Sequence, residues 1–329
     1  MNTYKKKIIL TFDYEVFLGR HTGTIENCVI RPTELILDIL KVNDAKAIFF
    51  VDTTWLLFLK ENFYDDFNRI TAQLVDIINS GSSVELHLHP QWLQAYRKGN
   101  EIVFKSFENY KLHSLNKEAI YDLFKKSIDL LESITKQKVR CFRAGGFCIE
   151  PFKLIKYAFE TFGIKYDFSV VPGLFLQDGK VYDFDFSDAP ELPFYSFKDS
   201  VNIPEREGCF VEVPLSVYNN NPVYRILNKL MLKIEKDKIF GDGSGIQEKH
   251  FFSFNSIKGW LQFSKGMLTL DKTWNLFFRY ILRVHFNRSN LLVIISHPKT
   301  ASRQAIVNLK YITMKYKSLN SNDFDKCLS

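Results

Sequence analysis

Two pairs of polar residues stand directly after short apolar runs. Asp13 and Glu15 follow the run KIILTF at residues 7–12, and His87 and His89 close the run VELHLH at residues 84–89. In extended backbone, residues two apart point to the same side, so each pair directs its side chains at one place. Two imidazoles on one strand face are suited to holding a metal ion, and carboxylates can complete such a site. Taken alone, each pair also fits an ordinary acidic loop or unspecialised strand-end histidines.

Three further polar residues recur at the ends of apolar runs. His297 closes LLVIIS, Arg143 ends VRCFR, and Asp167 lies in KYDFSVV. Singly, each is typical of a strand-end cap or ion pair. Together with the first four they form the set that a mononuclear metal hydrolase needs: ligands, a base for water and an acid for the leaving group.

These residues must be positioned by alternating strands and helices. Strands are predicted at 7–12, 47–51, 84–89, 139–147, 164–171, 210–218 and 291–296, and the clearest amphipathic helices at about 66–79 and 116–135. Such alternation predicts an α/β fold with a mainly parallel sheet, either a βα barrel or an open sheet. In both, ligands bind at the carboxyl ends of the strands, where the polar residues stand.

The organisation along the chain indicates one principal unit. No internal repeat and no linker rich in Pro, Gly and Ser divides the 329 residues. We expect a single domain over residues 1–317, with residues 219–290 as an insertion or peripheral elaboration. The polar residues 318–329 are expected to form a frayed tail.

Composition excludes several classes of protein. Hydrophobic residues make up 46% and charged residues 25%, which is ordinary globular usage and excludes extended disorder, collagen and coiled coil. The five cysteines are odd in number and show no CxxC spacing, which excludes a disulfide framework and favours a reduced, cytoplasmic setting. No run reaches the roughly 18 apolar residues of a transmembrane span, and the apolar run near the amino terminus is too short for a signal peptide.

The positive charge is concentrated in the last third. The formal net charge of +7 divides into −4 for residues 1–212 and +11 for residues 213–329. No nucleic-acid-binding motif accompanies it, so nucleic acid is excluded as a partner. The basic, apolar stretches 223–240 and 274–288 are expected to pack on the barrel, in preference to peripheral contact with anionic lipid.

Five short blocks give the sequence a specific resemblance. LTFDYE, KAIFFV, GSSVELH, FRAGG and IISHP occur in the order seen in polysaccharide deacetylases of the NodB-homology type, the carbohydrate esterase family 4 group. The similarity covers about residues 5–300 in outline, with strong matches confined to these blocks. The resemblance implies a distorted (β/α) barrel of the polysaccharide deacetylase type.

The resemblance also implies roles for individual residues. Asp13 resembles the catalytic base, and His87 falls where the first metal histidine of the family lies. Arg143 resembles the arginine that orients the base, Asp167 resembles an acid of the fourth motif, and His297 resembles the histidine that protonates the leaving group.

Two departures from the family pattern affect the metal ligands. The acidic pair of the family is adjacent, whereas Tyr14 separates Asp13 from Glu15, so Glu15 is assigned as the metal ligand. The second histidine of the family lies four residues after the first, but position 91 is Gln, and His89 is the available substitute. The implied cofactor is a divalent ion held by Glu15, His87 and His89, with zinc preferred over cobalt, nickel and manganese.

The implied reaction is the removal of acetyl groups from an N- or O-acetylated sugar or polysaccharide precursor. Tyr14 and Trp92, together with Trp55, are expected to stack on a sugar ring. One alternative is a glycosidase or other C–N hydrolase that uses Asp13 and Glu15 on the bond itself. Another is a degenerate barrel that binds glycan without catalysis, which the missing second histidine motivates.

Overall fold

The computed structural model describes residues 6–19, 21–177, 181–245 and 264–327. Most of the strands in these residues are short, and the long ones belong to one large sheet. In chain order the strands are β1 (Lys7–Tyr14), β2 (Ile48–Asp52), β3 (Ser83–Leu88), β4 (Ala95–Lys98), β5 (Glu101–Phe104), β6 (Cys141–Ala144), β7 (Tyr166–Asp167), β8 (Phe175–Gln177), β9 (Asp183–Asp185), β10 (Tyr195–Phe197), β11 (Phe210–Glu212), β12 (Val217–Asn220), β13 (Ser264–Met267), β14 (Leu291–Ser296) and β15 (Lys317–Leu319).

The large sheet is parallel except at one edge. Its order is β10-β11-β7-β6-β3-β2-β1-β14, with β10 antiparallel to β11 and with β15 added in parallel to the start of β1. The strands β2 and β3 are buried along their whole length, and β1 is buried from its second residue. Covering on both faces is the usual condition of a parallel sheet and explains the continuous apolar runs in the sequence.

The sheet curls into a distorted barrel. Between β7 and β14 the ring is completed by the irregular residues after β11, not by a regular strand. Leu215 N donates to Val170 O at 2.9 Å, and Ser216 N donates to Val293 O at 3.0 Å. The predicted α/β class and distorted barrel are therefore confirmed.

The helices lie between the strands and cover the sheet. The two amphipathic patterns at 66–79 and 116–135 correspond to helices Tyr64–Asn79 and Lys117–Thr135, within two residues at each end. The helices of the described residues are α1 (Arg31–Val42), α2 (Thr53–Asn62), α3 (Tyr64–Asn79), α4 (Lys117–Thr135), α5 (Lys156–Phe162), α6 (Pro222–Ile234), α7 (Asn275–His285), α8 (Arg303–Lys315) and α9 (Phe324–Cys327). None of these helices is both long and apolar enough to cross a bilayer.

Two expectations about the last third of the chain are corrected. Residues 264–271 are not peripheral: β13 pairs with β12, and Leu268 N and O bond to Ser216 O and Ile295 N. Residues 246–263 of the predicted insertion lie outside the described residues. The tail is not frayed as far as residue 327, because β15 pairs with β1 and the ring of Phe324 is buried against Tyr166 and Phe168.

The two basic helical stretches behave differently. In α7, Phe277, Phe278, Ile281 and Leu282 are buried, so that helix packs on the barrel as expected. In α6 Pro222 is buried and Tyr224 packs against the core, but five apolar side chains are exposed, so packing on the barrel is wrong for these five: Val223, Ile226, Leu227, Leu230 and Ile234.

Candidate active site and metal centre

The end of β1 carries the two carboxylates on the inner side of the sheet. Asp13 and Glu15 are each 4% exposed, and Tyr14 between them points the opposite way. The Tyr14 hydroxyl donates to Gln73 Oε1 at 2.8 Å, and its ring packs near Phe49 and Trp55. The alternation of an extended strand therefore converges the two carboxylates, as the sequence predicted.

The end of β3 brings both histidines to the same place. His87 Nδ1 lies 2.7 Å from Arg143 O, and because a carbonyl only accepts, Nδ1 carries the proton and donates. This leaves His87 Nε2 directed toward Glu15, 3.5 Å from Oε2. His89 Nε2 lies 2.8 Å from the same Oε2. A histidine fixed in this tautomer by its other nitrogen is typical of a metal ligand.

Glu15, His87 and His89 form a donor set that fits a metal ion. One ligand atom from each lies within 4.8 Å of the others, and all three residues are buried. Among the described residues, His87 Nε2 and His89 Nδ1 are buried without a hydrogen-bond partner, and the two imidazoles are the groups that approach Glu15 Oε2. Buried polar atoms are rarely left unpartnered, so a cation between these groups would satisfy what the protein does not. Two nitrogens and one carboxylate oxygen are a common set for zinc in hydrolases.

The pKa values at these ligands follow from the concentration of charge. Burial raises the pKa of Glu15, but the charges of Lys299 and His89 lower it by more, so the pKa lies well below its usual range. Burial lowers the pKa of His87, and the carboxylates of Glu15, Asp13 and Asp52 outweigh this and raise it. Asp52, which ends β2 beside His87, has its pKa raised to about 6 by burial. The site is thus a buried cluster of opposite charges, in which Arg143 and Lys299 pair with Asp13 and Glu15.

Gly145 makes room for His89. A Cβ at this position would lie 2.5 Å from Leu88 O and 2.6 Å from His89 Nδ1, distances that no side chain can tolerate. The next residue, Gly146, has φ +58° and lies against Tyr110, whose ring is 5.5 Å from that of His89. The glycines of the FRAGG block are therefore explained by the close approach of the ligand histidine.

Arg143 holds Asp13 from β6. Its guanidinium donates from Nη1 to Asp13 Oδ1, from Nη2 to Thr11 Oγ1 at 2.9 Å and from Nε to Phe168 O at 3.0 Å. Burial raises the pKa of Asp13, but the charge of Arg143, with His87 and His297, lowers it below its usual value. Asp13 is therefore ionised near neutral pH, as a base must be.

His297 faces Asp13 from the end of β14. Its Nε2 lies 3.6 Å from Asp13 Oδ2, too far for a hydrogen bond but close enough for both to reach one substrate. Its Nδ1 lies 3.1 Å from Asp271 Oδ2. Asp271 also accepts from Ser296 Oγ at 2.6 Å and from Thr300 Oγ1 at 2.7 Å. Sequence reasoning missed Asp271, although it ends the apolar run MLTL as the other site residues end theirs.

Asp167 lies behind the site and not in it. It is fully buried and accepts from Ser169 N and Oγ at 3.0 and 2.9 Å. It also shares a hydrogen bond with Glu212, and the charge of Arg143 lowers its pKa, although burial raises it more. Asp167 thus reaches Asp13 only through Arg143, and its direct catalytic role stays a prediction.

Lys299 is a second site residue that sequence reasoning missed. Its Nζ lies 2.7 Å from Glu15 Oε1 and 3.1 Å from Val16 O. It stands two residues after His297 in IISHPKT, so the signal was its position in the last block.

The aromatic residues expected to stack on sugar are corrected. Tyr14 and Trp55 are fully buried, and Trp92 is 2% exposed, packed near Phe58 and Phe104. Tyr14 lies on the outer side of β1, Trp55 lies in α2 and Trp92 lies in the short turn after β3, and the burial of all three leaves no free ring face for stacking. Gln91 is also buried, and its amide has no partner among the described residues.

The comparisons with known proteins agree with the geometry. Residues 1–150 match the family model of polysaccharide deacetylase. No protein of curated function matches the sequence. Among solved structures, BA3943 from Bacillus anthracis, a family 4 carbohydrate esterase pseudoenzyme, is 16% identical over 97% of this chain, with a TM-score of 0.40. A mutant of BA3943 with restored enzymatic activity is 25% identical over 50% of this chain, with a TM-score of 0.31.

A third similar structure is a family 4 carbohydrate esterase from Streptomyces lividans in complex with acetate. It is 12% identical over 50% of this chain, with a TM-score of 0.32. The chain spans 44% to 65% of the length of these three proteins. The family assignment therefore depends on the matched segment, which contains both carboxylates of β1, both histidines of β3 and Arg143. Residues 1–150, a little under half of the chain, are thus similar to the polysaccharide deacetylase family.

Proposed function

We propose that this protein is a metal-dependent hydrolase that removes acetyl groups from an N- or O-acetylated carbohydrate. The observation that carries the proposal is the convergence of Glu15, His87 and His89, with the unpartnered buried nitrogens of the two histidines. The family match over residues 1–150 supports the same reaction class. Zinc is the proposed ion, from the donor set alone.

The residues around the ligands are suited to the proton transfers of deacetylation. A divalent ion at Glu15, His87 and His89 would polarise the acetyl carbonyl and acidify the attacking water. Asp13, kept ionised by Arg143, is suited to take the proton from that water. His297, on the other side of Asp13, is suited to give a proton to the departing nitrogen or oxygen. The carboxylate of Asp271 accepts a hydrogen bond from Nδ1 of His297 and so holds a proton on that nitrogen. The proton that His297 would donate is then the one carried by Nε2.

A cavity beside the site is the proposed place for the sugar. It has a volume of about 690 Å³ and lies between the loop 16–26 and the β4–β5 hairpin. Val16, which follows the ligand Glu15, is part of its wall, although Asp13, Glu15 and the three site histidines are not. Glu26, Glu101 and Arg69 supply polar groups. Polar groups in an otherwise apolar wall suit a carbohydrate, which has hydroxyls to bond and ring faces to pack.

The test is a metal analysis joined to an acetate assay. Purified protein should bind about one divalent ion and release acetate from an acetylated oligosaccharide, scored over a panel of N- and O-acetylated compounds. His87→Ala should lose the ion and the activity, and Asp13→Asn should lose the activity and keep the ion. His113→Ala, which changes a histidine outside the site, is the matched control. Full acetate release by a folded His87→Ala protein contradicts the proposal.

A second candidate is a barrel that binds glycan without hydrolysing it. The ion pair of Lys299 with Glu15 favours this function, because the ammonium group neutralises the buried carboxylate, which then needs no metal ion to balance its charge. Calorimetry with chitin oligomers separates the two functions. Metal-independent binding without acetate release supports the second candidate and contradicts the first.

A further inference from the structure

The helix α6 turns its apolar side chains to solvent. Val223, Ile226, Leu227, Leu230 and Ile234 are each 44% to 60% exposed. Their spacing of three, one, three and four residues places them on one face of the helix. In most surface helices such a stripe faces the core, so this arrangement is reversed.

The opposite face anchors α6 to the protein. The ring of Tyr224 lies 5.5 Å from that of Phe277 and 4.9 Å from that of Tyr280 in α7. The Asn228 side chain accepts from Trp274 N at 2.7 Å and donates to Lys272 O at 3.0 Å. The orientation of the apolar stripe is thus fixed by specific contacts of the other face.

Acidic and basic groups are separated around this helix. Glu235 and Asp237, which follow α6, are hydrogen-bonded to the rest of the protein, through Trp274 Nε1 at 2.9 Å and Ser302 Oγ at 2.7 Å. Lys229 and Lys233 are exposed, four residues apart along one edge of the stripe. The neighbouring helix α7 exposes Arg283, and also Arg279, whose guanidinium lies over the ring of Tyr311 in α8. The outward surface of α6 is therefore apolar, and the exposed charged residues of α6 and α7 near it are basic.

We propose that α6 docks the protein on an anionic membrane surface. An apolar stripe bordered by Lys and Arg is suited to lie in the headgroup region, where side chains enter the lipid and cations meet phosphate. At about 1.5 Å per residue α6 is about 20 Å long, and it lies in the surface without spanning it. A two-fold contact between copies would bring the same basic residues of each copy together, which disfavours a dimer through this face. This inference is independent of the proposed enzymatic function.

Vesicle sedimentation of the full chain tests the proposal. The probes are vesicles of phosphatidylcholine alone and of phosphatidylcholine with one quarter phosphatidylglycerol. We expect at least tenfold tighter binding to the anionic vesicles, weakened by salt. The double variant Leu227→Asp/Leu230→Asp should lose at least tenfold, and Lys233→Glu should lose severalfold. Met314→Asp, at a position 77% exposed on α8, is the control and should bind as the unmodified protein does.

The outcomes that overturn the proposal are distinct. Because the changed side chains are exposed, the double variant should keep its fold, and circular dichroism checks this. If the double variant and Met314→Asp bind the anionic vesicles equally, the proposal that α6 docks on a membrane is overturned. Sedimentation velocity without vesicles tests whether the stripe binds a second copy of the chain. A dimer that dissociates in Leu227→Asp/Leu230→Asp would assign the stripe to that contact and would also overturn the membrane proposal.

Discussion

The ammonium of Lys299 lies 2.7 Å from Oε1 of Glu15, a residue 284 positions earlier in the chain. The other oxygen of the same carboxylate, Oε2, lies 2.8 Å from His89 Nε2. Glu15 therefore connects a fixed cation on one side with the two histidines on the other. A metal ion at the histidines would share its carboxylate ligand with Lys299, and the two positive charges would repel each other.

Replacing Lys299 by Met should tighten metal binding. The change removes the repelling charge and frees Glu15 Oε1, while the long apolar side chain keeps the volume of Lys299. We expect the affinity for a divalent ion to rise at least tenfold, or about 1.4 kcal/mol. Competition with a chromogenic chelator measures it. Lys310→Met, an exposed lysine of α8, is the control. Unchanged or weaker binding in Lys299→Met would show that Lys299 positions Glu15 for the ion.

Replacing Gly145 by Ala should weaken metal binding through His89. The new Cβ would meet His89 Nδ1 at 2.6 Å and Leu88 O at 2.5 Å, so the imidazole must move. We expect a loss of metal affinity of about tenfold to a hundredfold, as for other residues that orient a ligand. Metal content after dialysis against a chelator measures the loss.

The control for Gly145→Ala is Gly163→Ala. Gly163 has φ +72° and has nothing within 4 Å of a new Cβ, so this change costs about 1–2 kcal/mol of backbone strain and no contact. It should lower the melting temperature and leave metal affinity unchanged. Equal metal affinities in the two variants contradict the orienting role of Gly145.

The sequence predicts the parts of the site that lie on regular strands. The two-residue period of β1 brings Asp13 and Glu15 to one side of the strand and places Tyr14 on the other side. The same alternation that predicted the convergence of the two carboxylates therefore argued against a sugar-stacking role for Tyr14. The alternation predicted a mainly parallel sheet and the family resemblance a distorted barrel, but the order of the strands, which brings His87, Arg143 and His297 together, is given by the structure.

Asp271 and Lys299 could not be placed in this way. Asp271 reaches His297 because the irregular residues 268–270 bond to Ser216 and to β14, a path that no periodic pattern indicates. Lys299 lies in the short 3-10 turn Pro298–Thr300, where one residue of shift would direct its side chain elsewhere. The exposure of the apolar stripe of α6 could not be predicted either, because the contacts of Tyr224 with Phe277 and of Asn228 with Trp274 determine which face of the helix is turned inward.

Replacing Asp271 by Asn should lower the rate of the reaction and leave metal binding intact. The carboxylate accepts from His297 Nδ1, Ser296 Oγ and Thr300 Oγ1, and an amide cannot accept all three. If its NH2 group faces His297, the imidazole takes the other tautomer and loses its orientation. We expect kcat to fall about a hundredfold with little change of KM.

The readouts for Asp271→Asn are steady-state kinetics and metal content. Asp129→Asn, which changes an exposed carboxylate of α4 paired with Lys125, is a control away from His297 and from the cavity. A fall of kcat accompanied by loss of the ion would assign Asp271 a structural role in the centre as a whole.

Replacing Glu212 by Gln should stabilise the protein increasingly as the pH rises. Burial, and next the charge of Asp167, raise the pKa of Glu212 well above its usual value. Because the pKa is higher in the folded state than in the unfolded state, where it is about 4.3, the stabilising contribution is complete below about pH 4 and is lost as the pH rises toward the folded-state pKa. The loss is at most about 1.4 kcal/mol per pH unit. A glutamine in the same place can still donate to Asp167 and accept from Val170 N without ionising.

Urea unfolding at pH 5, 6.5 and 8 measures this effect. The difference in the free energy of unfolding between Glu212→Gln and the unmodified protein should grow with pH. Glu207→Gln, at an exposed position, should give a constant difference. A constant difference for Glu212→Gln as well would mean that Glu212 is already ionised in the folded protein at pH 5.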